Sequence, residues 1–357
     1  MSATASRRRV RRRRLIAAVV VIDLLGMGAL AFALTRPSHH PASTTVSATA
    51  LSAPVAHPQA PQTLIGDTGG APVAPAPVAH RRRHRKPPAP ATTSPAARTG
   101  AQASFERLAS SLPGASGIAV GSLSGGPTVT YGSLQVGHAW STMKVPVLTT
   151  LLSQLERGGG ALSSAQRADA TAALEASDNS AAEALFSALE SSNGGLVGAS
   201  QALQNTLRRA GDAQTVINTA PNSSGFTTWG QSEWSAGGEV AFYRALAGGC
   251  LLSRSDTSYV LSLMGQVTSD QRWGAGSAGY PAGVTLAFKG GWGPENGGGY
   301  LVRQTAIVST GSGGYVLSML AQPSDGSFSS GTQMLTEIAS WAARSLSTNG
   351  GGSGGCR

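Results

Sequence analysis

His138-Ala-Trp-Ser-Thr-Met-Lys-Val-Pro-Val-Leu148 runs directly into Thr149-Thr-Leu-Leu-Ser-Gln-Leu-Glu156. Val147, Leu148, Leu151, Leu152 and Leu155 recur at the i, i+3, i+4 spacing of a buried helix face. The spacing predicts a helix opened by Ser141, with Lys144 one turn later on the same face. A serine hydroxyl is a poor nucleophile until its proton is removed, and a lysine amine removes it only when burial or nearby positive charge lowers its pKa. The helix N-terminus adds a partial positive charge worth about 0.3–1 kcal/mol and free backbone N–H groups for a developing oxyanion. An isolated Ser-x-x-Lys is more often an N-cap followed by a solvated lysine. The composition shifts that balance, because only three of the 27 basic side chains are lysine, and Lys144 and Lys289 are the two that lie beyond residue 100. Surface positive charge is carried by arginine, which does not titrate, leaving lysine for positions where a titratable amine matters.

The net charge of +10 is unevenly spread. Residues 1–100 carry 14 basic and two acidic side chains, whereas residues 101–345 carry 12 basic and 15 acidic ones. The globular portion is therefore slightly acidic and lacks the basic footprint of a nucleic-acid binder. Residues 1–14 form a basic segment with seven arginines, and residues 15–34 are mostly apolar with one charge, Asp23. Twenty residues at about 1.5 Å each match a bilayer core of about 30 Å. The arginines ahead of them place the N-terminus in the cytoplasm and the rest of the chain outside. A single-pass membrane anchor is expected; a signal peptide cleaved near Ala31-Phe-Ala33 is the alternative and would release the protein. Residues 35–100 read as a disordered Pro/Ala-rich linker. Its basic block His80–Lys86 suits either solubility or attraction to anionic wall polymers or lipid headgroups. Residues 347–357 read as a flexible Gly-rich tail.

Two cysteines, Cys250 and Cys356, make no disulfide framework; Cys356 lies in a Gly/Ser tail that could reach Cys250, but nothing in the sequence requires it, and Cys250 is read as a buried free thiol. Five of the six histidines precede residue 100, so neither a metal site nor another cofactor is expected in the folded part. A Ser-His-Asp triad would have to use His138, three residues before Ser141 and poorly positioned as its base.

From residue 101 to 346 the pattern is globular. Residues 102–112 are helical in pattern, and residues 117–131 alternate on both sides of a Gly-Gly-Pro turn, which predicts a hairpin. Residues 163–191 read as one helix containing Ser177-Asp-Asn179, and residues 203–210 as another. Residues 215–229 read as a long loop, followed by helices over 236–247 and 257–266. Three β-rich runs, 284–289, 300–309 and 315–321, precede a closing amphipathic helix over 331–346. Two strands, then helices, then three strands and a last helix predict an α+β, α/β/α sandwich. Its antiparallel sheet of about five strands carries flanking helices and a reduced all-helical subdomain.

Ser141-Thr-Met-Lys144, Ser177-Asp-Asn179 and Lys289-Gly-Gly291 stand in that order. The set resembles the signatures S-x-x-K, S-D-N and K-T-G of the penicillin-recognising serine hydrolases, in particular the class A β-lactamase branch, over roughly residues 104–344. The resemblance implies a β-lactam or a peptidoglycan stem peptide as partner. Ser141 would form an acyl-enzyme, Lys144 would receive or relay its proton, and Ser177 would pass that proton to the leaving nitrogen. Lys289 would supply positive field for Ser177 and for a substrate carboxylate. Asn179 would hold the acyl-amide side chain and tether Lys144. Gly291 would line the substrate strand, and the backbone N–H groups of Ser141 and Trp292 would form the oxyanion hole. Arg303 resembles the family's carboxylate-binding arginine, a solvated surface arginine being the other reading.

Two departures accompany the resemblance. Gly290 stands where the family carries Thr or Ser, removing a hydroxyl that contacts the substrate carboxylate. No acidic residue occurs between Asp212 and Glu233, where the family carries its deacylating glutamate; these two read as surface charges. Acylation is therefore better supported than turnover. Three readings follow: a β-lactamase-like hydrolase with slow deacylation, a penicillin-binding D-Ala-D-Ala peptidase, and a non-catalytic peptidoglycan-binding module.

Overall fold

The computed structural model describes residues 95–346 apart from 221–224, 296–297 and 312, with only the backbone course given for 95–99. The first helix, α1 (Pro95–Ser111), begins inside the expected linker. The predicted hairpin is β1 (Gly114–Ser122) and β2 (Val129–Gly132). A short ribbon that the pattern did not announce pairs β3 (Val136–His138) with β4 (Glu233–Ser235). The three C-terminal runs are β5 (Thr285–Pro294), β6 (Tyr300–Thr310) and β7 (Gly313–Pro323). They join the hairpin in one antiparallel sheet of order β2-β1-β7-β6-β5. Both ends of the chain thus build the expected five strands, and β5 is left as an edge.

The sheet is covered on both faces. Along β7, Tyr315, Leu317, Met319 and Ala321 enter one apolar cluster while Val316 and Leu320 enter the other, the two-residue period of a strand buried on both sides. The first cluster packs α1 and the closing helix against the sheet, with Phe105, Tyr131 and Trp341 in mutual ring contact at 5.0–5.8 Å. The second extends from the opposite face into the helical subdomain.

That subdomain is built on α2 (Lys144–Arg157), whose Val147, Leu148, Leu151 and Leu152 are buried as the periodicity requires. Pro146 falls in its first turn, where a missing N–H costs no hydrogen bond. The helix opens at Lys144 rather than at Ser141, which lies in a preceding 3-10 turn, Trp140–Met143, entered through a positive φ of 48° at Trp140. The single helix expected over 163–191 is two, α3 (Ser164–Glu175) and α4 (Asn179–Asn193). The break has a local cause. The Asp178 side chain accepts a hydrogen bond from Ala181 N as an N-cap, which requires extended backbone, and Ser177 before it takes φ 61°. Further helices are α5 (Leu196–Arg209), α6 (Ala236–Ala247), α7 (Arg254–Gly265) and α8 (Phe328–Ser345).

Two smaller expectations are corrected. Cys250 is disulfide-bonded, not a free thiol. Asp212 is buried instead of being a surface charge, accepting from the Trp234 indole at 2.8 Å and from the backbone N–H groups of Gln214 and Thr215; Glu233 is exposed as expected. Among the described residues no helix is long and apolar enough to cross a membrane, and the expected anchor at 15–34 lies outside them, as do the tail at 347–357 and the linker up to residue 94.

Candidate active site

The edge strand β5 meets the 3-10 turn of Ser141 at close range. A Cβ on Gly291 would lie 2.8 Å from Ser141 N and 2.9 Å from Thr142 N, and one on Gly293 would lie 2.6 Å from the Trp140 indole. Glycine at these positions therefore lets the strand lie against the turn. Lys289 sits inside this strand rather than at its end.

Lys144 is 1% exposed. Its Nζ donates to Asn179 Oδ1 at 2.7 Å, to the Ser177 carbonyl, to Asp178 O at 3.2 Å and to Ser177 Oγ at 3.4 Å. Four acceptors converge on an ammonium with three protons. Burial lowers its pKa to about 7, against the opposing fields of Asp178 and Glu183. Lys289 is equally buried, and its Nζ donates to Ser177 Oγ at 2.7 Å and to Gly290 O at 3.0 Å. Burial, and then the neighbouring Lys144, hold its pKa well below the usual lysine value. The Ser177 hydroxyl thus stands between two amines that come from positions 145 residues apart in the chain. The positive φ at Ser177 belongs to the same break that turns both its carbonyl and its hydroxyl toward Lys144.

A cleft open to solvent is lined by Trp140, Ser141, Ser177, Asn179, Phe226, Thr227 and Trp292. Of the residues singled out from the sequence, Ser141, Ser177, Asn179 and Trp292 line it, while Lys144 and Lys289 bond to its lining residues Ser177 and Asn179 and Gly291 lies against Ser141. Arg303 is the exception. It is fully buried, its guanidinium pairs with Glu239 at 2.8 Å, and it donates to the carbonyls of Gly137, His138 and Trp234. It holds β3 and β4 to β6 and does not face a substrate. His138 lies 3.1 Å from Glu295, so it too is engaged away from Ser141.

Several site groups escaped the sequence reading. Trp140, Phe226 and Thr227 form cleft wall, and the last two come from an aperiodic loop with no signal to find them by. Glu183 was findable, because it stands four residues after Asn179 on one face of α4. Solvent still reaches it, yet partial desolvation, then Glu190, raise its pKa, while Lys144 and Trp229 pull the other way. The Trp229 indole N–H is buried without a hydrogen bond of ordinary length, and the Glu183 carboxyl faces it. Among the described residues no cluster of three or more His, Cys, Asp or Glu side chains is arranged to hold a metal ion.

This five-stranded sheet, with its helical subdomain and a serine between two buried lysines, defines a serine hydrolase of the class A β-lactamase fold. Solved structures with that fold are similar to it over 68–70% of the chain. A putative class A β-lactamase, PenP, from Rhodopseudomonas palustris superposes with a TM-score of 0.56 at 18% identity, covering 69% of this chain and 100% of that one. The chromosome-encoded β-lactamase of Vibrio parahaemolyticus gives 0.54 at 16% identity, covering 68% and 98%. A structure of PBP-A gives 0.55 at 19% identity, covering 70% and 96%. No curated protein matches the chain in sequence. A family model described as the beta-lactamase enzyme family matches residues 167–346, a stretch that holds Ser177-Asp-Asn179 and Lys289-Gly-Gly291 and begins after Lys144. The chain belongs to the β-lactamase enzyme family, and its activity is that of a serine hydrolase of the β-lactamase type.

Proposed function

We propose that Ser141 attacks the carbonyl of a β-lactam to form an acyl-enzyme that water later releases. The observation that carries this reading is the Ser177 hydroxyl held 2.7 Å from Lys289 Nζ and 3.4 Å from Lys144 Nζ, with both amines buried. With a pKa of about 7, Lys144 has a large neutral fraction at physiological pH and can accept the Ser141 proton. Ser177, oriented by Lys289, passes a proton on to the leaving nitrogen. The backbone N–H groups of Ser141 and Trp292 donate to the oxyanion, which the close approach at Gly291 supports.

Release of the acyl group needs a base for water. Asp178 is occupied as a helix cap, so Glu183 is the carboxylate near Lys144 that can serve, its pKa raised by partial desolvation and so its basicity strengthened. It stands on a helix and not on the loop where the family's glutamate would be, and deacylation is slow as a result. A D-Ala-D-Ala peptidase would share the acylation half of this chemistry. A binding module without catalysis would gain nothing from burying two amines, each of which costs stability. The catalytic domain works outside the cytoplasm, anchored by residues 15–34; removal of residues 1–34 releases it from the membrane fraction if so.

Intact mass and ring opening, followed over time with a penicillin, test the reading. The expected result is a Ser141 adduct that forms, decays slowly and is absent in Ser141→Ala. Glu183→Gln should acylate at the normal rate and keep its adduct at least tenfold longer. No adduct on the unaltered protein would leave the binding module as the function.

A further inference from the structure

The features of this cleft that would grip a substrate carboxylate are missing in three independent ways, and the walls that replace them are aromatic. Arg303, which stands opposite Gly291 in the β5–β6 register, has its guanidinium turned to Glu239 and three backbone carbonyls and is closed off from solvent. Gly290 offers no hydroxyl, and none can be added without moving a neighbour, because a Cβ there would lie 2.4 Å from the Trp273 indole. Lys289 directs its Nζ to Ser177 Oγ and Gly290 O and is not part of the cleft wall. What lines the cleft is wholly uncharged: the hydroxyls of Ser141, Ser177 and Thr227, the Asn179 amide, and the rings of Trp140, Phe226 and Trp292.

The rings are held in position. Trp140 meets Phe226 edge-on at 5.1 Å, and its indole lies against Gly293. Trp292 packs between Trp273 and Phe328 at 6.2 and 4.8 Å, and Trp273 is itself seated on Gly290. Gly290 is thus the other half of an aromatic stack that buttresses the cleft, which gives a packing reason for its departure from the hydroxyl residue. Phe226 is 36% exposed at the mouth, where a ring remains available for contact with an incoming apolar group.

We propose that the cleft accepts uncharged acyl donors carrying an aromatic or apolar acyl group, neutral lactams, amides and esters, on a par with their carboxylate counterparts, by ring contact in place of a carboxylate anchor. This rests on the acyl-enzyme reading above and specifies its substrate class. In a site that grips a carboxylate, each charge-assisted hydrogen bond lost with the charge costs about 10- to 100-fold. Here no charged side chain stands in the wall to make such a bond, whereas an edge-on ring contact contributes about two- to tenfold.

The test compares the rate of Ser141 acylation by benzylpenicillin with that by its methyl ester, using intact mass on the unaltered protein, and repeats both with Phe226→Ala. The expected result is an ester within tenfold of the acid, with both slowed about two- to tenfold by Phe226→Ala. An ester slower by tenfold or more overturns the proposal while leaving the acyl-enzyme intact, and so does Phe226→Ala acylating at the unaltered rate. Failure of both compounds to acylate Ser141 removes the acyl-enzyme reading itself, and this inference with it.

Discussion

Lys144 is the residue whose protonation the chemistry turns on. As a base it must be neutral, and burial brings its pKa to about 7, so acylation should rise with pH through that value and level off above it. Measured acylation rates between pH 5 and 9 should follow this limb, and Lys144→Arg, a fixed charge, should flatten it and lower the rate by about 10²- to 10⁴-fold. Gly291 is decisive at the same scale for a different reason. The methyl group of Gly291→Ala would lie 2.8 Å from Ser141 N, against backbone that cannot step aside. The strand must then retreat from the oxyanion site. The acylation rate should fall by about 100-fold or more, as expected for a lost oxyanion donor, with a cooperative thermal unfolding transition retained.

Among the elements, α3 and α4 show how a short break makes a site. Ser163 caps α3 through a reciprocal pair with Gln166, and Asp178 caps α4 through Ala181 N. Each cap contributes about 0.5–2 kcal/mol of stability, but only the second also sets the backbone that presents Ser177 to the lysines. Ser163→Ala should therefore lower thermal stability and leave acylation unchanged. Asp178→Ala should lower stability by a similar amount and acylation by at least tenfold. Equal activity in the two variants would detach the cap from the catalytic geometry. The break was legible only in part, because Ser-Asp-Asn is a cap sequence as well as a catalytic one, and helical periodicity on both sides of it masked the interruption.

At the scale of the whole molecule, Arg303 and Glu239 join the sheet to α6 and, through three carbonyls, to the β3–β4 ribbon. Ser318 on β7 donates to the same carboxylate. Removing one partner of a buried pair leaves the other charge uncompensated and costs about 3–5 kcal/mol. Urea denaturation of Arg303→Met should register a loss of that size. Its ratio of acid to ester acylation should be unchanged, since the guanidinium does not reach the cleft.

Local pattern alone determined much of this protein. The 3.6-residue period placed α2, alternation placed the hairpin and the C-terminal strands, and the scarcity of lysine singled out Lys144 and Lys289. These are properties of neighbouring residues, and they survive without knowledge of what packs against them. Only the tertiary structure decided that both amines meet at Ser177, that Arg303 turns inward to Glu239, that Trp273 occupies the space beside Gly290, and that Glu183 faces the Trp229 indole. Each of these is the choice of a partner for a buried polar or bulky group. That choice is made by groups far away in the chain, because a charge or ring withdrawn from water takes whichever neighbour the fold brings to it.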